Sequence, residues 1–211
     1  MTEAAVGIRV FEHDLPDELA AAVRAAGVAA WDTETSGLDP RVDRLHLCQI
    51  FAPSIGALLV RVDDRRPDRL CELLSDPDVL KVMHHAPFDL AFMRASWGVD
   101  ARAVRCTKIA SKLVAPGAPA TTHSLAAQVR SRLGIELNKG AVRTSDWGAE
   151  ELSSQQIRYA SEDVVHLLDL YQLLVGELDA QGLAALFTKC CEFLSTRTVV
   201  AALGIDDVFA Y

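Results

Sequence analysis

The sequence predicts an α/β domain in which a mixed sheet carries helices on both faces. Three observations lead there. The 211 residues fit one large domain better than two small ones. Half of them are apolar and 24% are charged, the ordinary balance of a globular chain, so no staple is needed at this size. Strand-like runs fill the first half, and helical runs alternate with further strand in the second.

In chain order, HDLPDELAAAVRAAG (13–27) reads as a helix, with Asp14 as N-cap, Pro16 near the first turn and Gly27 as the stop. VAAWDTET (28–35) is a buried strand. RLHLCQIFAP (44–53) alternates as a second strand, and GALLVRV (56–62) is a third after a tight turn. PDRLCELLSD (67–76) is a short helix. VLKVMHH (79–85) is a fourth strand, followed by the helix APFDLAFMRASWG (86–98), which Gly98 ends. CTKIASKLVAPG (106–117) and HSLAAQVRSRLG (123–134) are helices flanking a Pro/Gly loop. Residues 153–182 read as one long helix capped by Ser153 or Ser154; 183–204 is a last helical stretch and IDDVFAY a tail.

Composition removes several classes. The five cysteines are odd in number and form no C-x-x-C, so they read as buried reduced thiols. No apolar run reaches a membrane span and the start lacks a signal-peptide pattern, so the expected location is the cytoplasm, away from membranes. The net charge is −8, from 29 acids and 21 bases. A chain lacking a basic excess is poorly suited to a long duplex and better suited to a short ligand, or one held locally through metal. No G-x-x-x-x-G-K-S/T or G-x-G-x-x-G occurs, and His123 and His166 form no triad with a serine.

Three acidic clusters stand out. Asp32 and Glu34 end a strand with period two, so both point the same way, where like charges repel unless a cation lies between them. Asp89 falls in a helix otherwise lined by Phe88, Leu90, Phe92 and Met93; an acid there either favours the helix dipole at the first turn or needs a partner. Tyr159 and Asp163 are spaced i, i+4 on one helical face. Four carboxylates from three elements share a pocket only around hard cations, and oxygen ligands suit Mg²⁺ or Mn²⁺.

These motifs resemble the DEDD exonucleases. WDTETSGL matches their first motif, HHAPFDLAFM the second, and YASEDV the third in its Tyr-x-x-x-Asp form, which is that of the ribonuclease D branch. The stretch LGIELNKGAVRTSDWGAEELSSQQ extends the likeness beyond the acids. His85 stands where the second motif commonly has Asn, and the likeness does not extend to the helical C-terminal domains of full-length ribonuclease D. HDLP, CTKIASKL, FLSTR and DDVFAY resemble the short stand-alone nanoRNase C type.

The resemblance implies a ribonuclease H-like fold, a mixed five-stranded sheet flanked by helices, as a single domain over 1–211. It implies two divalent cations, Mg²⁺ or Mn²⁺, with Asp32 bridging both, Glu34 and Asp163 completing one and Asp89 serving the other through water. Tyr159 would hold the attacking water, and hydrolysis would release nucleoside 5′-monophosphates. Substrate contacts are expected from Thr35, Gly37, Leu38 as an apolar wedge, His85, Phe88, Lys139 and Trp147, with Arg143 beside them. The expected partner is single-stranded or very short RNA, with DNA or structured RNA ends as the alternative. A silent nucleic-acid adaptor is disfavoured because all four acids and the tyrosine are present. Likeness also implies a homo-oligomer, with residues 185–211, Phe209 and Tyr211 among them, in contacts between copies.

Overall fold

The computed structural model describes residues 7–137, 142, 145–205 and 207–210. The elements run β1 (Ile8–Glu12), α1 (Asp17–Ala26), β2 (Val28–Thr35), β3 (Leu45–Ala52), β4 (Gly56–Arg61), α2 (Asp68–Ser75), β5 (Leu80–Met83), α3 (Ala86–Trp97), β6 (Val104–Cys106), α4 (Thr107–Val114), a 3₁₀ turn (Ala120–His123), α5 (Leu125–Leu133), α6 (Ser154–Val165), α7 (Leu167–Ala180) and α8 (Ala184–Ala202). One sheet is ordered β1-β4-β3-β2-β5-β6. The β2–β3–β4 meander is antiparallel, whereas β1/β4, β2/β5 and β5/β6 pair in parallel.

The sheet therefore has six strands, not the five expected. The first and last escape a periodicity reading for different reasons. β1 lies at an open edge with Ile8 and Val10 each 40% exposed, so no buried face marks it. β6 has only three residues, one of them Cys106, assigned from sequence to the start of a helix.

Two helix boundaries also differ. Asp14 does not cap α1, whose N-cap is Pro16. Its carboxylate instead accepts from the amides of Arg69 and Leu70, at 2.8 and 3.1 Å, and so closes the first turn of α2. The long helix expected over 153–182 breaks at His166, between α6 and α7. Ser153 caps α6 in a capping box with Gln156. The break serves two cores. The larger cluster gathers Trp31, Ile50, Leu58, Phe92, Leu170 and Leu174; a smaller one joins Leu47, Ala57 and Leu59 of the sheet to Trp147, Tyr159 and Ala160. α6 lies over β2, β3 and β4, while α7 packs on α4 and α5. Among the described residues no helix is long and apolar enough to cross a membrane, and all five cysteines are free thiols.

Lys81 is fully buried in β5 and its ammonium donates to the Asp76 carbonyl at 2.6 Å. Burial lowers its pKa from 10.5 to about 8, against a smaller opposing pull from Asp76. Between those values the unfolded chain holds more protons than the folded one, so this residue makes stability rise with pH. Below about pH 8 its charged form costs about 3 kcal/mol. Lys81→Met is therefore expected to raise Tm at pH 7 and to flatten the rise toward pH 10, less about 1 kcal/mol for the lost hydrogen bond. Thermal unfolding across that pH range checks it; a lower Tm for the variant at pH 7 contradicts it.

Candidate metal centre

The alternation of β2 puts Asp32 and Glu34 on the face that α6 covers. Their partners across the β2–β3 ladder are Gln49 and Leu47, and Leu47 belongs to the smaller core with Tyr159. The ladder shifts register between Glu34 and Thr35, a bulge at the strand end of the kind that re-aims side chains beside a site. α6 brings Asp163 down onto the same place. Asp32, Glu34 and Asp163 each offer a carboxylate oxygen within 4.8 Å of the others. At that separation each pair of charges repels by about 3–4 kcal/mol at an effective dielectric near 20. Glu34 and Asp32 are half-buried and Asp163 is buried, so water screens the group only in part. Three hard oxygen donors converging this closely fit a hard divalent cation.

Asp89 reaches the site from the side. β5 pairs with β2 only as far as Ala30, which leaves the following residues of β2 with an open edge there. α3 begins just after β5, and Asp89 lies in its first turn. The Thr33 hydroxyl donates to Asp89 Oδ1 at 2.7 Å. Burial pushes the Asp89 carboxyl up to about 7; Thr33 opposes that, and the charge of Asp163 adds to it. Asp89 thus belongs to the electrostatic neighbourhood of the three acids without joining their ligand cluster. Thr33 escaped the sequence reading because it sits between two acids on the opposite face of the strand; the signal was a polar side chain at an inward position of a buried run.

Tyr159 is buried one turn before Asp163, its ring 6.0 Å from that of Trp147. Trp147 is itself 3% exposed. Its ring packs in the smaller core beside Tyr159. The segment carrying it is tied down by Gln156, which donates to the Asp146 carbonyl at 2.9 Å, and by Arg61, which donates to the carbonyls of Ala149 and Glu150 at 2.6 Å.

The other expected substrate residues are distributed around the rim. Leu38 is 84% exposed, an apolar side chain presented to solvent just past β2. Thr35 donates to the Gly37 carbonyl at 2.6 Å. A side chain at Gly37 would meet the Asp43 carboxylate, which accepts from the Asp39 amide at 2.8 Å, and would have to displace it. His85 is exposed at the N-cap of α3, in the left-handed region at φ 66°. Phe88 is half-buried against Phe92, with ring centroids 4.9 Å apart. His84 is engaged by the Thr107 hydroxyl and the His123 carbonyl, at 2.9 and 3.1 Å. Lys139 and Arg143 lie outside the described residues. His123 meets Ser111 at 3.1 Å, but that hydroxyl is buried and donates to the Lys108 carbonyl, so it offers no nucleophile.

A mixed sheet of this order, with acids gathered at one strand end beneath a helix, defines the ribonuclease H-like class of nucleases. The 3′–5′ exonuclease family profile matches residues 8–179, and the chain belongs to that family of phosphodiester hydrolases, in its ribonuclease D-like branch. A solved structure described as the apo form of the nuclease is 36% identical, with a TM-score of 0.92, and the match covers 98% of this chain and 100% of that one. Brucella melitensis NrnC bound to pGG is 33% identical with a TM-score of 0.90, covering 98% and 100%. Ribonuclease D of Haemophilus influenzae is 30% identical over 171 residues, which is 80% of this chain and 41% of the relative. The chain thus spans less than half the length of that relative, as it does of the Escherichia coli ribonuclease D, where the match covers 48%.

Proposed function

We propose that this protein is a metal-dependent 3′–5′ exoribonuclease that trims short RNA, down to dinucleotides, and releases nucleoside 5′-monophosphates. The observation that carries the reading is the convergence of Asp32, Glu34 and Asp163 within 4.8 Å in a chain of the exonuclease family. Likeness to an NrnC structure bound to pGG supports the short substrate, and the net charge of −8 is consistent with a ligand held locally. Two divalent cations, Mg²⁺ or Mn²⁺, would supply an activated water and neutralise charge on the departing 3′ oxygen.

The chain's own groups divide the remaining work. Asp32, Glu34 and Asp163 would hold the ions, and Asp89, bonded by the Thr33 hydroxyl, would serve one of them through water. Tyr159 orients the attacking water through its hydroxyl. Leu38 parts the last bases, while Thr35, Gly37, His85 and Phe88 line the path of the terminal nucleotide. Tyr159→Phe is expected to lower kcat by about 10²-fold or more with KM nearly unchanged. Steady-state kinetics on a short RNA check this, and unchanged turnover removes the tyrosine from the mechanism.

A length series of 5′-labelled RNA and DNA, with and without Mn²⁺, tests the substrate. Dinucleotides that persist while longer strands disappear refute the short-substrate reading; DNA cleaved as fast as RNA refutes the ribose preference. Self-association belongs to the same proposal. Leu203 is 73% exposed and Phe209 80%, although the Phe209 ring lies 6.1 Å from that of Phe193. Exposed apolar area of this kind commonly meets a second copy, and the mass of the chain in solution is its readout. The proposed location is the cytoplasm, where thiols remain reduced.

A further inference from the structure

Both polar atoms of the Gln49 side chain are buried without a hydrogen-bond partner among the described residues, and the residue is 0% exposed. It lies midway along β3, opposite Asp32 on one side and Leu59 on the other. Directly opposed residues carry their side chains on one face, with Cβ atoms about 5 Å apart. Here that face is covered by α6, and Leu47, Leu59 and Ala160 line it beside the acids. An unbonded amide in such a place costs about 1–3 kcal/mol. Methionine or leucine would fill nearly the same volume without that cost. The carboxamide stands directly across the ladder from Asp32 with neither of its polar atoms bonded among the described residues.

We infer that Gln49 is a positioning residue for the acidic centre: its carboxamide N–H is the donor to an Asp32 carboxylate oxygen in the cation-loaded state. The inference rests on the metal reading of the centre proposed above. Carboxylates that ligate metals are held by outer hydrogen bonds, and losing one typically costs 10–100-fold in metal affinity. Gln49 does not touch the substrate in this scheme; it acts through Asp32 alone.

Calorimetric titration with Mn²⁺ and thermal unfolding without it, on the full chain, compare the wild type with Gln49→Met. The expected result is a 10–100-fold loss of Mn²⁺ affinity together with a cation-free Tm equal to or above that of the wild type. A purely structural glutamine gives another pattern. If the variant's Tm falls, the amide is already bonded in the empty protein and the inference is overturned. If Tm holds and the variant binds Mn²⁺ as tightly as the wild type, the inference is overturned while the metal reading stands. Wild-type protein that binds no Mn²⁺ overturns the metal reading itself, and this inference with it.

Discussion

Asp163→Asn is expected to abolish cation-dependent phosphodiester cleavage, by at least about 10³-fold, equivalent to about 4 kcal/mol of lost transition-state stabilisation. The substitution keeps shape and removes charge. In the wild type, Asp163 is buried and its carboxylate stands within 4.8 Å of ligand oxygens from Asp32 and Glu34. On the proposed reading, a neutral amide there would leave two acids to hold the cations in place of three, and an amide oxygen is a weaker donor to a hard ion than a carboxylate. The same change should leave the empty protein as stable as the wild type or more so, because one of three mutually repelling charges is gone. It should also let the Asp89 carboxyl fall from about 7, since the charge of Asp163 is one of the influences holding it up. Release of mononucleotides with Mn²⁺, paired with thermal unfolding without it, separates the outcomes. Lost activity with retained or raised Tm supports the ligand role. Full activity refutes it, and lost activity with a collapsed Tm makes Asp163 a structural residue.

The acids were legible in the sequence because two periodicities expose them. Period two put Asp32 and Glu34 on one face of a strand, and i, i+4 spacing put Tyr159 and Asp163 on one face of a helix. The convergence of strand and helix was not legible, since it depends on α6 crossing β2, β3 and β4. The break at His166 that frees α6 to do so carries neither Gly nor Pro, and apolar spacing continues through it. Asp14 misled for a related reason. It sits at a plausible N-cap position of its own helix, yet its oxygens serve α2, more than fifty residues away in sequence. Local signals fix local structure well and say little about which partner a polar side chain finds across the fold. Gln49 shows the same limit: alternation sets it on the face of Leu45, Leu47 and Phe51, but says nothing of which polar partner meets it there.

Trp147 lies in the smaller core beside Tyr159, and its substitution carries the second large effect. Trp147→Ala is expected to cost about 3–5 kcal/mol of stability, the usual penalty for emptying a buried tryptophan site. The ring is 3% exposed and packs with Leu47, Ala57, Leu59 and Tyr159. Its contact with Tyr159 is tilted, at 43° and 6.0 Å between centroids, an arrangement worth about 0.5–1.5 kcal/mol beyond the area buried. Removing it also removes the wall behind the tyrosine, so kcat should fall while KM for short RNA changes little. Trp147→Phe should retain most of both properties. The indole N–H has no acceptor among the described residues, so a phenyl ring gives up no hydrogen bond there. A tryptophan that stacked on a base would behave in the opposite way, raising KM on truncation with little loss of stability. Urea unfolding midpoints and steady-state kinetics for the two variants decide between these accounts. A stable Trp147→Ala protein with a raised KM would return the ring to the substrate and leave Tyr159 without its proposed support.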